Sequence, residues 1–417
     1  MAEAFRPASP LLRWRPYAAG LLTGVLVGVA VLAVLHFRAP RRSPDGAPAG
    51  VARGREHSAE VVRQSRTTAI VTAVDMTRRA VVTIRAAGPV AVKSPMLDLF
   101  RWPASRPRTV DREWVGSGFL LDRDGFIVTM AHVVQGATDL SVSLGDGSSA
   151  LAEVVGIAPR FDLALLRAEL GAHAEASPAQ LGDSDEIMVG EWVIAIGSPF
   201  GDAVGDPQPS VSVGVISAVR RDLLPPEGHL GAWPYFDLLQ TDAAINSGNS
   251  GGPLVNTNGE VIGVNMALYN VEMRAANVGV NFSVPINTVK WVVQELREVG
   301  EVRTPWVGWR LQEAMPPETR RRVGLAEEDG VLLVSAVEPG SPAARAGIRP
   351  GDVLMQLNGQ EPYSLPRAER ILFTTRVGDS IRAQLVKDGQ RLDVVLEVEE
   401  NPKVQAQRLQ RRQRSRS

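Results

Sequence analysis

Short apolar segments rich in β-branched residues recur between about residue 68 and residue 285, and glycine- or aspartate-rich turns separate them. Many short strands at such spacing favour an all-β barrel or sandwich. Apolar residues then recur at helical spacing and predict a closing amphipathic helix over Pro285–Val299. The clearest strand segments are residues 80–84, 119–129, 139–144, 193–196, 211–217, 261–265 and 278–283.

The composition is that of an ordinary globular protein, with 44% apolar and 22% charged residues. A length of 417 residues allows two or three domains. The formal net charge of −1 gives no reason to expect nucleic acid as a partner. The chain has no cysteine, which excludes disulfides, cysteine-based metal sites and a thiol nucleophile. This suits an oxidising compartment without proving one.

The segment Asp242–Leu254 surrounds Ser250 with glycines and small polar residues. Such a chain can turn sharply and approach another molecule closely. The turn can expose the Ser250 hydroxyl while nearby amide N–H groups converge on one point, which suits a nucleophile beside an oxyanion hole. Taken alone, a run of this kind is more often an ordinary glycine-rich loop.

A serine nucleophile needs a base, and the base needs an orienting acid. Of the five histidines, His132 is the one that directly follows a predicted β-strand and precedes further apolar residues. About thirty residues later, Asp162 opens the apolar segment 160–167, where its carboxylate can accept a hydrogen bond from an imidazole. Separately, a packed histidine and a capping aspartate are the simpler interpretations of these two residues.

The order His132, Asp162, Ser250 is that of chymotrypsin-type hydrolases. Several spaced segments resemble the HtrA (DegP/DegS-like) family of serine proteases over roughly residues 68 to 400. The resemblance implies a mainly β chain with a chymotrypsin-like double β-barrel, a His-Asp-Ser triad at the cleft between the barrels, and no need for a metal or cofactor. The segments that carry it are 116–120, 129–134, 161–166, 190–201, 239–245 and 246–254.

The resemblance also implies roles for the neighbours of the serine. It places the oxyanion hole at Gly248, Asn249 and Ser250, with the Gly248 and Ser250 N–H groups as donors. Digestive proteases of this fold carry an aspartate before the serine, where it pairs with a newly cut N-terminus. The neutral Asn249 cannot form that ion pair, so activation is expected from loops ordered by another domain or subunit. The loops concerned are 197–209 and 220–236, with Arg221 as a sensing arginine or a solvated one.

The primary specificity pocket is expected at positions whose side chains are aliphatic and uncharged. Such walls favour small or medium aliphatic residues at the cleavage site, although residues of this kind serve equally well as plain barrel core. The pocket residues implied by the family are Ile245, Met266 and Leu268.

A second domain is expected after Arg303. Residues 331–359 closely resemble the body of a PDZ domain, and residues 306–311 resemble its carboxylate-binding loop and following strand. Backbone N–H groups of that loop would hold a C-terminal carboxylate, with the peptide added as a β-strand. The two tryptophans involved are alternatively packing between domains. The predicted peptide-binding residues are Trp306, Val307, Gly308, Trp309, Leu311, Ile371 and Leu372.

Residues 18–37 form an apolar run of about the length that crosses a bilayer, roughly 30 Å as a helix. A retained anchor is favoured over a cleaved signal peptide, because arginines rather than a small-residue cleavage site follow the run. Arginines flank both ends of the run, so the distribution of charge does not decide its orientation. The periplasmic side is expected for the downstream domains because the family resemblance implies it. The predicted segments are an arm at 1–17, an inner-membrane anchor at 18–37, a flexible linker at 38–67, a protease domain at 68–302, a PDZ domain at 303–400 and a basic disordered tail at 401–417.

Together these features predict a single-pass, PDZ-regulated serine endopeptidase that cleaves misfolded or signalling proteins in the periplasm. The family implies a homotrimer, and Phe100 and Trp102 are apolar enough to serve its interface. Its expected partners are protein substrates, C-terminal peptides at the PDZ domain, and the membrane through residues 18–37. A non-catalytic chaperone or peptide-binding scaffold, with the triad present but its loops locked, is the alternative.

Overall fold

The first six strands close into a β-barrel. The computed structural model describes residues 65–92, 108–171, 177–198, 208–223, 234–246, 248–267, 279–313, 331–362 and 364–414, together with 318, 320 and 321. The strands of this barrel are β1 Val81–Val92, β2 Arg108–Leu120, β3 Phe126–Met130, β4 Asp139–Leu144, β5 Ser149–Ala158 and β6 Leu163–Ala168. They pair antiparallel in the closed order β1-β2-β3-β6-β5-β4.

The next six strands close into a second barrel. They are β7 Trp192–Gly197, β8 Ser210–Leu223, β9 Tyr235–Thr241, β10 Pro253–Asn256, β11 Val261–Met266 and β12 Asn281–Pro285. Their closed order is β10-β11-β12-β9-β8-β7. The large apolar side chains that the sequence pattern placed inside are fully buried, among them Phe119, Ile127, Leu165, Ile194 and Ile196. The predicted double β-barrel is therefore confirmed.

Three helices accompany the barrels in the described residues: α1 Ala69–Thr77, α2 Ala131–Val134 and α3 Ile286–Val299. Helix α3 starts after Pro285 and ends at Gly300, which has a positive φ of 77°. Its predicted apolar stripe is buried, with Val289 and Val292 at 0% exposure. The helix passes so close to β5 that a Cβ at Gly156 would lie 2.4 Å from Gly300 O. Helix α3 thus closes the protease region as the sequence predicts.

The C-terminal region forms a five-stranded sheet with two flanking helices. The elements are β13 Pro305–Trp306, β14 Trp309–Gln312, β15 Leu332–Val337, α4 Pro342–Arg345, β16 Val353–Leu357, α5 Leu365–Phe373, β17 Ser380–Lys387, β18 Gln390–Glu397 and β19 Glu399–Glu400. The sheet order is β14-β15-β16-β17-β18, and β13 pairs separately with β19. Leu332, Leu354 and Ile381 lie in a core of their own.

The basic C-terminal segment differs from the predicted disordered tail. Residues Pro402–Arg414 form helix α6. The Arg408 guanidinium, whose side chain is 13% exposed, donates a hydrogen bond to Glu400 at 2.6 Å and forms an ion pair with Glu301 at 3.3 Å. Charge composition alone predicted solvation, whereas tertiary folding brings two carboxylates from elsewhere in the chain to this arginine.

The predicted arm, the predicted anchor at 18–37 and most of the linker lie outside the described residues. Within the part of the chain that is described, no helix is both long and apolar enough to span a bilayer. Residues 68–417 form one compact unit.

Gly125, in the turn between β2 and β3, offers a direct test of barrel packing. Its φ is 82°, and a Cβ there would lie 2.0 Å from Ala168 O. Gly147 has a similar φ of 84° but nothing within 4 Å of its Cβ position. We expect Gly147→Ala to lower the free energy of unfolding by about 1–2 kcal/mol through the left-handed backbone alone. Gly125→Ala should cost about 1–3 kcal/mol more because of the clash. Urea unfolding of the two variants measures this difference, and equal costs would contradict the packing described here.

Candidate active site

Asp162 holds His132 by its backbone and by its ring. Asp162 Oδ2 accepts a hydrogen bond from His132 Nδ1 at 2.6 Å, and Oδ1 accepts one from the His132 amide at 2.9 Å. The Asp162 carbonyl also accepts a bond from the amide of Ala131 at 2.8 Å. With Nδ1–H donating to the carboxylate, Nε2 remains as a proton acceptor. The sequence prediction that these two residues meet agrees with this geometry.

The turn between β5 and β6 places the carboxylate. Residues Pro159–Phe161 form one 3₁₀ turn, which Asp162 ends in the left-handed region with φ 50°. Aspartate tolerates this conformation better than most residues because its short side chain can bond locally. Phe161 is 5% exposed and Asp162 is 8% exposed, so the burial of these two residues fixes the turn.

Ser250 lies in a tight turn formed by residues 248–252, here called the serine turn. Ser117 on β2 ties this turn to the first barrel: its amide donates to Ser250 O at 2.9 Å and its hydroxyl donates to Gly248 O at 2.6 Å. The Ser117 hydroxyl also accepts a bond from the Ser198 amide at 2.7 Å. Ser117 lies in the family-like segment 116–120, but the sequence alone predicted no role for it.

Gly251 shows how closely the serine turn approaches the strand that leads to His132. A Cβ at Gly251 would lie 2.1 Å from Ser117 O and 2.3 Å from Thr129 Oγ1. The glycine also has a positive φ of 87°. A larger side chain is therefore excluded by space as well as by backbone conformation.

The Ser250 hydroxyl accepts a hydrogen bond from the Ala267 amide at 3.0 Å. Among the described contacts, the hydroxyl and the His132 ring are not bonded to each other. A hydroxyl that accepts one bond keeps its own hydrogen to donate, so this contact is compatible with later donation to Nε2. Among the hydrogen bonds between described residues, neither the Gly248 amide nor the Ser250 amide acts as a donor.

Asn249 is buried, at 5% exposure, and its Oδ1 atom has no hydrogen-bond partner among the described residues. Its amide donates to Asn246 O at 3.0 Å and its carbonyl accepts from Gly252 at 3.0 Å. The backbone of Asn249 thus shapes the serine turn.

Two of the three predicted pocket residues are buried in the barrel core. Ile245 is 4% exposed and packs with Val193, Leu239 and other core residues of the second barrel. Met266 is 2% exposed and also belongs to a core cluster. Leu268 lies outside the described residues. For Ile245 and Met266 the burial fits the plain core interpretation, and a specificity role stays a prediction.

Arg221 and the predicted peptide-binding residues occupy distinct surroundings. Arg221 lies on β8, where its Nε donates to Gln240 Oε1 at 3.1 Å. Most of the two predicted activation loops lies outside the described residues, at 199–207 and 224–233.

In the C-terminal region, Gly308 has a φ of 81° and a Cβ there would meet Ser341 at 2.0 Å, so the turn requires glycine.

The other predicted peptide-binding residues surround the same small core. Val307 and Ile371 are buried in it, Trp309, Leu311 and Leu372 pack partly buried against it, and Trp306 is half-buried on β13. The Trp309 Nε1 atom is buried without a partner among the described residues.

Tyr235 is a neighbour of the candidate triad that sequence reasoning missed. Burial, the Asp162 charge and a hydrogen bond between its hydroxyl and the Asp162 carboxylate raise the pKa of Tyr235 to about 12. The Asp162 carboxylate therefore lies near the Tyr235 phenol as well as being bonded to the His132 imidazole. Nothing in the local pattern distinguishes Tyr235 from the other three tyrosines, since only folding brings β9 to the β5–β6 turn.

This geometry can be compared with known proteins. Residues 116–264 match the trypsin-like peptidase domain, and residues 333–382 match the PDZ domain. A variant of the HtrA-type protease AlgW, solved with a decapeptide, superposes with a TM-score of 0.64 at 32% identity and covers 81% of this chain and 98% of that one. The chain belongs to the HtrA-type serine protease family.

Two further relatives of the HtrA-type chain are described as DegP-like periplasmic serine endoproteases. The one from Marinomonas sp. is 38% identical over 305 residues, which is 72% of this chain and 61% of the relative. The one from Halomonas elongata is 36% identical over 301 residues, 72% of this chain and 59% of the relative. The chain therefore spans somewhat less than two thirds of the length of these curated relatives.

The raised pKa of Tyr235 makes the stability of this HtrA-type chain depend on alkaline pH. The folded pKa of about 12 lies above the ordinary value of 10.0, so the fold favours the neutral phenol. That contribution is fully present below pH 10 and is lost as the pH rises through 12. We expect the free energy of unfolding to fall more steeply between pH 10 and 12 in the wild type than in Tyr235→Phe.

Denaturant unfolding of both proteins at a series of pH values measures this difference, and groups that titrate alike in both cancel. Below pH 9 the two curves should run parallel. Equal slopes above pH 10 would contradict the contact between Tyr235 and Asp162.

Proposed function

We propose that this HtrA-type chain is a serine endopeptidase in which Ser250 is the nucleophile, His132 the general base and Asp162 the orienting acid. His132 removes the Ser250 proton as the hydroxyl attacks a peptide carbonyl, and then returns that proton to the leaving amine. Asp162 fixes the imidazole tautomer and stabilises the imidazolium. Water, activated by the same histidine, hydrolyses the acyl-enzyme and regenerates the serine.

The oxyanion hole is proposed at the serine turn. The amides of Gly248 and Ser250 would donate to the negatively charged oxygen of the tetrahedral intermediate, with Asn249 shaping the turn between them. Loss of one such donor typically costs about 3–4 kcal/mol of transition-state stabilisation. The mechanism needs no metal or cofactor.

The observation that supports this proposal most strongly is the double hold of Asp162 on His132, at 2.6 Å to the ring and 2.9 Å to the amide. A capping aspartate would need only the backbone bond. The additional short bond to Nδ1 selects the tautomer in which Nε2 is free to take a proton, which is what a serine nucleophile requires.

Regulation by the PDZ domain is a further part of the proposal. An AlgW relative was solved with a decapeptide, and the PDZ loop around Gly308 offers backbone amides to a C-terminal carboxylate. The proposed substrates are misfolded or signalling proteins. Relatives described as periplasmic support a periplasmic location. The proposal also includes residues 18–37 as an inner-membrane anchor, from the length of their apolar run, and a homotrimer as the assembly.

A second candidate function is a peptide-binding scaffold or chaperone that does not cleave. One observation favours it: the Ser250 hydroxyl is bonded to the Ala267 amide, and among the described contacts His132 does not reach it. The two functions differ in whether Ser250 becomes reactive when a peptide occupies the PDZ domain.

A fluorophosphonate probe tests the nucleophile. We expect stoichiometric labelling of the full-length chain, faster with a PDZ-binding peptide present, because the probe reacts only with an activated serine. Ser250→Ala should abolish the labelling, and Asp162→Asn should slow it by up to about 10⁴-fold. Ser143→Ala, a change at a serine on β4 away from the site, is the matched control. Absence of labelling with and without a panel of C-terminal peptides would instead support the scaffold.

Alkaline carbonate extraction tests the anchor. If residues 18–37 span the membrane, the full-length chain stays with the membrane pellet because carbonate removes only peripheral proteins. A variant lacking residues 1–37, exported behind a cleavable signal peptide, is expected in the supernatant. Recovery of the full-length chain in the supernatant, with a new N-terminus after the apolar run, would show a cleaved signal peptide instead.

A further inference from the structure

Phe373, the last residue of helix α5 in the PDZ domain, packs into the protease region. Its side chain is 5% exposed, and it belongs to the buried cluster of the barrels rather than to the PDZ core. Its ring centroid lies 4.3 Å from that of Phe161 and 5.2 Å from that of Phe236. A residue of the regulatory domain is thus part of the protease core.

Both aromatic partners of Phe373 are adjacent in sequence to groups at the acid end of the candidate triad. Phe161 directly precedes Asp162, whose left-handed backbone depends on the turn that Phe161 anchors. Phe236 directly follows Tyr235, whose pKa is raised by burial and by the nearby Asp162 carboxylate. Phe373 therefore contacts two aromatic side chains whose sequence neighbours are Asp162, in the β5–β6 turn, and Tyr235, on β9.

Arg370 fixes the same end of helix α5. It lies three residues before Phe373, on the same face of the helix. Its guanidinium bonds Asp222 at 3.4 Å and Asp237 at 3.2 Å, and its side chain is 18% exposed. These aspartates lie on β8 and β9, so the pairs hold the helix end against the strand that carries Tyr235.

A cavity of about 580 Å³ lies beside Arg370, between helix α5 and the β8–β9 strands, and is lined partly by Arg220 and Ile371. Displacement of the helix would therefore act on the barrels through Arg370 and Phe373, together with Arg376, whose guanidinium lies 5.4 Å from the centroid of the Trp291 ring. The buried residues Ala368 and Ile371 of the same helix belong to the PDZ core.

We propose that Phe373 is a positioning residue for Asp162: wedged between Phe161 and Phe236, it holds the turn that aligns the carboxylate with His132. The inference rests on the proposed triad function. It adds a direct path from the PDZ helix to the acid of the triad, separate from the loops around the serine. Loss of the Phe373 side chain leaves a cavity beside Phe161 and frees the Asp162 turn.

The test compares Phe373→Ala and the conservative Phe373→Leu in the full-length chain, using a short peptide anilide that has no free carboxylate for the PDZ loop. We expect Phe373→Ala to lower kcat by about 10–100-fold, as for a small misplacement of a catalytic group, with KM within about twofold. Phe373→Leu should retain most of the activity. The acidic limb of the pH profile of kcat/KM should move to lower pH in Phe373→Ala, because a misaligned carboxylate stabilises the imidazolium less.

A matched control separates positioning from simple domain attachment. Arg303→Ala removes the ion pair with Glu295 that ties the segment between helix α3 and β13 to that helix, and it leaves the aromatic contact in place. It should leave kcat and the pH profile close to those of the wild type. An equal loss of kcat in Arg303→Ala, or an unchanged kcat in Phe373→Ala, would overturn the proposal.

A spectroscopic measurement keeps the inference distinct from the proposed function. In the Ser250→Ala background, which does not cleave, the proton of the short His132 Nδ1 to Asp162 Oδ2 bond is expected as a far-downfield NMR signal. Phe373→Ala should weaken or abolish it and Phe373→Leu should keep it, at temperatures where unfolding curves show both variants folded. A signal that persists in Phe373→Ala refutes the positioning role, while failure of fluorophosphonate labelling refutes the function alone.

Discussion

The Asp162 carboxylate accepts hydrogen bonds from both the amide and the ring of His132. The orientation of the candidate base depends on these two bonds. The carboxylate can accept both because the chain ends a 3₁₀ turn in the left-handed region just before β6. Such a backbone is costly for most residues, and buried aromatic packing of the preceding Phe161 offsets the cost. The arrangement joins a local strain, a buried side chain and a polar contact in two consecutive residues.

The two barrels meet through a small set of hydrogen bonds rather than through apolar packing alone. Ser117 on β2 bonds the carbonyl of Gly248, the amide of Ser198 and the carbonyl of Ser250, all from the second barrel. Thr83 on β1 adds a bond between its hydroxyl and that of Ser198 at 2.7 Å. These contacts are buried and directional, so they set the position of the serine turn relative to the strand that leads to His132.

Two of the contacts that attach the C-terminal domain differ in chemistry. On helix α3, burial disfavours the charged form of the Glu295 carboxylate. Its hydrogen bonds with Arg303, which follows the helix, nevertheless hold the pKa of Glu295 below its ordinary value. At the end of helix α5 the contact is aromatic, through Phe373, and it lies next to the Asp162 turn. The first attachment is compatible with a purely structural role. The second places a PDZ side chain within the protease core, which is the basis of the proposed path from the PDZ helix to the candidate triad.

The sequence by itself determined the double barrel, the closing helix and the proximity of His132 and Asp162. Short β-branched segments between turns, helical spacing after Pro285 and the resembling segments are local signals that can be identified without knowledge of the fold. Tyr235, the bonding role of Ser117 and the packing of Phe373 were decided only by tertiary structure. Each acts through partners distant in the chain: β9 against the β5–β6 turn, β2 against the serine turn, α5 against both barrels.

The charged C-terminal segment follows the same rule. Composition predicted solvation, but Arg408 finds Glu301 and Glu400 only when the chain has folded. Local patterns specify which residues are buried and in which element. Which of them touch across the cleft depends on how closed barrels and a docked helix bring separate strands together, and no spacing along the chain encodes that distance.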